Sequence, residues 1–389
     1  MRDSDSKNVA VNNSLPLLGL DGSNPVGFLA ALGVFQTLSS SCRIGQLRMS
    51  WEDETGRWIP ALHGPLQSVA EVAAILAKQL KCPFSADPAA EKRREQLQKA
   101  FDAKKTELKR ARDALKKKRL RGKEREQENA RTVAPIEAEL VDCRRQWLTT
   151  LRSCVPSTEM AIGKHLNAKL DEFRETLKDA IAESSKETRA VVDLLASFGS
   201  DVCGTRQGDQ MEPTPFCFVT GSGHQYFLDT ARQLTECVDV SRLETSLATL
   251  QEPADEKLSM RWDPTEDRRY ALMWEDPTAS GNKSLTNWAT NLLAYHGLQM
   301  IPTVPARKGL ETVGWSTADG LTWRWPIWRA PATVDVVRSL LSCVPTNNHR
   351  QELSDLSSLG VVAVYQTTRI QVGNPPLHKV NFAPAEQIA

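Results

Sequence analysis

The sequence predicts an α+β fold, a mixed α/β body interrupted by an all-helical, basic, partly coiled-coil-like insertion. Two observations lead to this prediction. Residues 14–87 and 199–371 combine strand-like alternation, helical periodicity and glycine turns. Residues 88–198 contain almost no glycine, and their apolar residues recur at intervals of three and four. We expect a disordered tail at 1–13 and an irregular C-terminal tail at 372–389.

The first part of the body opens with a short apolar strand, a tight turn and an apolar helix. Asn24 is a good N-cap, and Pro25 suits the first helical position. The turn Gly22, Ser23 and Asn24 stands at the helix N-terminus, where backbone N–H groups can hold a phosphate. A capped core helix without a ligand explains the same residues. Residues 46–80 then predict a β-hairpin and an amphipathic helix.

The insertion is strongly basic within a chain whose formal net charge is only +1. Residues 91–131 contain 17 Lys and Arg against 8 Asp and Glu, a net charge of +9, so the other residues carry −8. The apolar stripe is too thin for a long coiled coil and favours a projecting helical hairpin at about 91–153. We expect its tip near 121–123 and further helices up to 198.

The basic side chains of this hairpin are candidate nucleic-acid ligands. A face that neutralises several phosphates would bind more weakly as salt rises. A solvated helix with no ligand explains a charge run equally well, and both interpretations stay open. The candidate positions are Lys104, Lys105, Lys109, Arg110, Arg112, Lys116, Lys117, Lys118, Arg119, Arg121 and Lys123.

A second glycine turn follows a predicted strand at 216–219 and precedes a helix that reaches about residue 234. Successive N–H groups in such a turn can form an anion-binding nest, to which a histidine and a glutamine add donors. Glycines that serve turn geometry alone are the alternative. The candidate residues are Gly221, Ser222, Gly223, His224 and Gln225.

Basic residues also alternate with tryptophans in the second part of the body. Arg268 precedes and Arg269 begins a predicted strand at 269–274, and further cations include Arg324 and Arg329. Such a mixture can stack bases beside phosphate contacts, although buried core tryptophans explain most of the pattern. We include Arg268 and Arg269 among the candidate nucleic-acid ligands.

No enzyme motif is present in the sequence. The six histidines are isolated from one another, and no Walker loop, Gly-x-Gly-x-x-Gly or Gly-x-Ser-x-Gly motif occurs. Carboxylates such as Glu266 fall in charged segments and are expected to be solvated. We therefore expect a non-catalytic protein without a metal or cofactor, although catalytic groups can also converge from distant positions.

Composition indicates an ordinary water-soluble chain. Of 389 residues, 40% are hydrophobic and 25% charged, and no apolar run is long enough to span a membrane. The N-terminus lacks a signal-peptide layout, and the eight cysteines form no Cys-x-x-Cys pair, which favours reduced thiols. We expect a cytoplasmic protein without a membrane partner.

Four short motifs of the body, at 18–34, 221–228, 267–274 and 325–328, resemble CRISPR-associated proteins of type I systems. The match is to the small large-subunit-like proteins of the I-U (now I-G) group. The motifs span most of the body and none of the helical insertion.

This resemblance implies a non-catalytic, DNA- and RNA-binding subunit of Cascade, the RNA-guided ribonucleoprotein complex of antiviral defence. Its partners would be guide RNA, target DNA, the backbone and RNA-processing subunits, and a helicase-nuclease. Its role would be recognition of the protospacer-adjacent motif (PAM) and duplex opening, because guide pairing supplies most of the sequence specificity. The near-neutral overall charge departs from a strongly basic DNA clamp. The alternatives are a defence nuclease or nucleotide-processing enzyme using His224 with acidic neighbours, or a protein-interaction scaffold without nucleic-acid contact.

Overall fold

The computed structural model contains α-helices and antiparallel sheets, so the fold is α+β as predicted. The predicted tail at 1–13, the glycine turn at 221–225 and the strand at 269–274 lie outside the residues that the structure describes. Two compact units are present, Phe84–Lys164 and a body formed by Met1–Pro83 with His165–Ala389. The described residues are 14–41, 47–185, 188–205, 209–219, 226–266, 283–307, 309–317, 320–345, 355–372 and 379–389.

The body begins with a three-stranded antiparallel sheet and a buried helix. Its strands are β1 (Ser14–Pro16), β2 (Arg48–Glu54) and β3 (Arg57–His63), in the order β1-β3-β2. Thus the predicted hairpin is confirmed. Helix α1 (Pro25–Ser39) is buried along nearly its whole length, and helix α2 (Val69–Gln79) follows.

Helix α1 forms where the sequence predicts it because its cap is local. The Val26 N–H donates to the Asn24 side chain, and Pro25 occupies the first turn. Phe28 contacts Trp51 in a stacked arrangement with ring centroids 5.4 Å apart. This helix is therefore the centre of the apolar core.

The second unit is helical. It contains α3 (Pro88–Lys117), α4 (Gly122–Thr132) and α5 (Ala134–Arg152). The unit ends at Lys164, whereas the predicted insertion extends to 198. The difference arises because the next helices pack in the body.

Those helices and four short strands make up the middle of the body. The helix at Arg189–Phe198 belongs to the body because Phe198 packs against Phe227 and Tyr295, which lie on two other helices of the body. The ring centroids are 6.1 Å apart in both pairs. The predicted strand at 216–219 is wrong, since these residues are buried but pair with no described strand. The elements are α6 (Leu170–Ala182), α7 (Arg189–Phe198), α8 (Phe227–Cys237), α9 (Val240–Ala248), β4 (Asp255–Glu256), β5 (Leu285–Thr286), α10 (Trp288–Gly297), β6 (Thr303–Ala306) and β7 (Gly309–Thr312).

A five-stranded antiparallel sheet completes the body. Its order is β11-β10-β9-β8, and β12 also pairs with β10. The Pro and Asn content of residues 372–389 predicts an irregular tail. This prediction is wrong, because two segments of the tail pair with β10. The elements are β8 (Trp315–Ser316), β9 (Thr322–Trp328), α11 (Val334–Cys343), β10 (Val361–Val372), β11 (Lys379–Phe382) and β12 (Glu386–Gln387).

Among the described residues, no helix combines the length and the apolar character that a membrane span requires.

Candidate nucleic-acid interface

Helix α3 is long because its local signals favour uninterrupted helix. Asp87 caps it by accepting from the Ala89 N–H, and Pro88 occupies the first turn. Thirty residues give an axial length of about 45 Å. The helix ends at Lys117, and Arg119 and Gly122 then adopt positive φ angles of 51° and 52°. The chain therefore turns back at 118–121, next to the predicted tip at 121–123.

The apolar stripe of α3 packs against α5. Phe101 stacks on Trp147 with ring centroids 5.9 Å apart and ring planes 6° from parallel. Leu108, two helical turns further along α3, is also buried, at 6% exposure. This packing fixes which face of α3 points away from α5.

Three of the eleven predicted basic residues make ion pairs inside the unit. Lys104 Nζ lies 2.6 Å from Glu139 Oε2, and its hydrogen bonds to Glu107 and Glu139 raise its pKa. Arg112 pairs with Glu137 at 2.7 Å. Lys118 pairs with Glu128 at 2.5 Å, and this hydrogen bond lowers the pKa of the Glu128 carboxyl. These three cations therefore already have acidic partners within the unit.

The remaining predicted cations are exposed and make no ion pair with a described residue. On α3 they are Lys105, Lys109, Arg110, Lys116 and Lys117. We define the basic tip as the five residues at the end of the hairpin, Lys116, Lys117, Arg119, Arg121 and Lys123.

The geometry of these cations suits a phosphate backbone. Lys109 and Lys116 are seven residues apart on one face of α3, an axial distance of about 10 Å. That distance is about three times the 3.4 Å charge spacing along one DNA strand. Flexible ammonium groups on an exposed rod can follow phosphates without reading base edges.

The predicted phosphate turn at Gly22, Ser23 and Asn24 is disfavoured by its own hydrogen bonds. The Gly22 N–H donates to the Trp58 carbonyl at 2.7 Å, the Ser23 N–H to Asp21 Oδ1 at 2.9 Å, and the Asn24 N–H to the Asp21 carbonyl at 3.1 Å. All three N–H groups thus already donate hydrogen bonds within the protein, and the Asp21 carboxylate lies at the turn. A phosphate at this turn would therefore have no free N–H donor from these three residues, and the Asp21 carboxylate would repel it.

The other predicted site residues of the body fall into two groups. Gly221, Ser222, Gly223, His224, Gln225, Arg268 and Arg269 lie outside the described residues. By contrast, Arg324 is only 1% exposed and donates to Gln366 Oε1 at 2.7 Å, so it belongs to the core. Nor can the tryptophans of β9 stack bases, because all three are at most 1% exposed: Trp323, Trp325 and Trp328.

Glu266 is a buried polar group that its sequence context does not reveal. The segment around it is charged and predicts a solvated loop, whereas the side chain is buried and accepts from Thr286 Oγ1 at 2.6 Å and from Ser259 Oγ. Burial is the main cause that raises its pKa to about 7. Charge content alone could not have revealed this, because burial here depends on a distant strand.

No group of three His, Cys, Asp or Glu side chains within the described ranges could hold a metal ion. No protein-family model, curated protein or solved structure matches the chain.

Proposed function

We propose that this chain is a non-catalytic nucleic-acid-binding subunit of a type I CRISPR surveillance complex in the cytoplasm. In this proposal it assists PAM recognition and duplex opening, and it helps recruit a helicase-nuclease during antiviral defence. The basic tip supports the nucleic-acid contact, and the four motifs of the body support the choice of complex. Guide RNA, target DNA and the other Cascade subunits are the proposed partners.

The observation that carries the nucleic-acid contact is the exposed, unpaired charge of the basic tip. Four acidic partners occupy Lys104, Arg112 and Lys118 within the unit, while Lys116, Lys117 and the arginines beyond them face solvent. Cations that already have an acidic partner gain less from a phosphate than unpaired ones do. The tip is therefore where phosphate binding releases most counterions.

The charge of the rest of the chain favours the same orientation. Outside residues 91–131 the chain carries a net charge of −8, which opposes extensive contact with a polyanion. We therefore assign the DNA contact to the hairpin and protein contacts to the body.

The test compares two triple variants of the full chain. Lys116, Lys117 and Arg119 are changed to Gln in the tip variant. Lys92, Arg93 and Lys99, near the start of α3, are changed to Gln in the control variant, which removes the same number of Lys and Arg residues as the tip variant. All six positions are exposed, and Lys92 is about 36 Å along the helix axis from Lys116.

Each protein is titrated with labelled duplex and single-stranded DNA at low salt. We expect the tip variant to bind both DNAs at least about tenfold more weakly. Each of the three substitutions removes one phosphate contact, and the three losses of binding free energy add up. The control variant should change affinity much less. Equal decreases in affinity in the two variants, or no binding by the unmodified chain, would contradict the proposal. The CRISPR role would be contradicted separately if the chain did not co-purify with guide RNA and Cascade subunits after co-expression.

A further inference from the structure

A cavity of about 240 Å³ lies beside the turn that precedes α1. Its walls come from the turn itself, from the chain before β4, from the segment at 263–265 and from the first turn of α10. We propose that this cavity receives the side chain of an arginine, flanked by apolar residues, from a partner protein. The proposal does not depend on DNA binding by the basic tip.

The first argument is charge. Asp21, Glu252 and Asp263 line the cavity, and no described Lys or Arg is among its lining residues. Asp21 Oδ1 accepts from the Ser23 N–H at 2.9 Å, and Asp263 Oδ1 accepts from Asn24 Nδ2 at 3.2 Å. Neither Oδ2 atom accepts a hydrogen bond from a described residue. Two oriented carboxylates thus each keep an oxygen for a cationic donor.

The second argument is the apolar rim. Leu250 lines the cavity and is 56% exposed, and Leu18, next to the lining residue Gly19, is 41% exposed. Pro253 adds a further apolar surface to the lining. These exposed apolar side chains give the apolar neighbours of a partner's arginine a surface to cover beside the polar recess.

The third argument is rigidity. A Cβ on Gly27 would lie 2.3 Å from the Asp21 carbonyl oxygen, so the turn packs directly on the first turn of α1. Across the cavity, Asn287 Oδ1 accepts from the Thr290 N–H at 3.0 Å and Asn291 Nδ2 donates to Thr286 Oγ1 at 2.7 Å. Walls fixed in this way lose little entropy on binding, which favours a preformed site.

Arginine fits this combination better than other occupants. Its planar guanidinium presents five donors to the carboxylates, and its apolar stem can lie against leucine. A phosphate or a nucleic-acid backbone is repelled by three carboxylates. A small hydrated cation leaves the apolar rim uncovered, so we assign the cavity to a protein segment.

The probe is the peptide Ac-Leu-Arg-Leu-NH2, titrated against the full chain by saturation-transfer NMR. The matched probe Ac-Leu-citrulline-Leu-NH2 has almost the same shape and no charge. We expect the arginine peptide to bind at least about tenfold more tightly than the citrulline peptide, because charge-assisted hydrogen bonds are stronger than neutral ones. Ac-Ser-Arg-Ser-NH2 should bind more weakly because it leaves the rim uncovered.

Variants then locate the peptide. Asp21→Asn with Asp263→Asn keeps the internal hydrogen-bond acceptors and should abolish the preference for arginine over citrulline, and Leu250→Ser should weaken both peptides. The control Glu175→Gln removes one exposed carboxylate that does not line the cavity and should change nothing. Thermal unfolding of each variant shows that it is folded.

Three outcomes would overturn the inference. They are no binding at millimolar peptide, equal binding of the arginine and citrulline peptides, and displacement of the arginine peptide by spermidine or Mg²⁺ at lower concentrations than the peptide itself requires. The last outcome would indicate a site for small cations. None of them affects the proposed function, because the DNA titration of the tip variant is read independently.

Discussion

Gly33 of α1 and Gly297 of α10 lie at the point where the two helices come closest. A Cβ on Gly33 would lie 1.9 Å from the Leu293 carbonyl oxygen, and a Cβ on Gly297 would lie 2.0 Å from the Leu29 carbonyl oxygen. Each helix therefore packs on the backbone of the other. This contact fixes α1 and α10 in the centre of the body, with the first turns of both helices beside the same cavity.

The glycine contact predicts that Gly33→Ala is destabilising. Helix propensity alone would stabilise the variant by about 1 kcal/mol. Overpacking against backbone costs about 1–3 kcal/mol and can also shift the helices, so we expect the overlap with Leu293 to dominate. Urea unfolding of the full chain measures the sign. A free energy of unfolding higher than that of the unmodified protein would show that the helices do not pack this closely.

The buried carboxyl of Glu266 predicts a stability that falls as pH rises. Its pKa is 4.5 in the unfolded chain and about 7 in the fold, so the folded state binds more protons between these values. The contribution of Glu266 to the free energy of unfolding is fully present below pH 4.5. It falls by about 3 kcal/mol at most as the pH rises to 7. Glu266→Gln keeps a neutral side chain of similar shape and should remove this decline.

The measurement is the difference in unfolding free energy between Glu266→Gln and the unmodified chain across this pH range. We expect the difference to favour the variant increasingly as pH rises. A difference that is constant with pH would mean that Glu266 is solvated, as its sequence context predicts.

His296 predicts the opposite dependence. Burial lowers its pKa from 6.5 to about 4, so the unfolded chain binds the additional proton between these values. This contribution is fully present above pH 6.5, and up to about 3 kcal/mol is lost as pH falls through this window to pH 4. Its Nε2 is buried without a hydrogen-bond partner among the described residues, whereas Nδ1 lies 3.4 Å from Gln299 Nε2.

His296→Phe should therefore lose less stability than the unmodified chain on acidification from pH 6.5 to pH 4. Circular dichroism during urea unfolding at both ends of the window gives the comparison. Parallel losses in the two proteins would show that another group causes the acid sensitivity.

Local signals explain which elements could be predicted from the sequence. The start of α1 is set by Asn24 and Pro25, and the first hairpin is set by alternation around the turn at Thr55 and Gly56. Each signal lies within a few residues of the element that it determines. For the same reason the charged character of α3 is visible in the sequence.

Features that depend on distant contacts could not be predicted in this way. The end of the helical unit at Lys164 depends on how Phe198 packs in the body, and the strand at Lys379–Phe382 exists because β10 offers an edge. The phosphate turn shows the same limit. Its amide donors are used by Asp21 and by Trp58 of β3, a contact that spans more than thirty residues.

The salt dependence of DNA binding tests whether the basic tip contacts phosphates. For the unmodified chain, the tip variant and the control variant, the logarithm of the duplex binding constant is measured against the logarithm of salt concentration. Each phosphate that is no longer neutralised should reduce the slope by about 0.9. We expect a slope reduced by up to about 2.7 for Lys116, Lys117 and Arg119 together and an unchanged slope for the control variant. An unchanged slope in the tip variant would contradict the assignment of nucleic-acid binding to the basic tip.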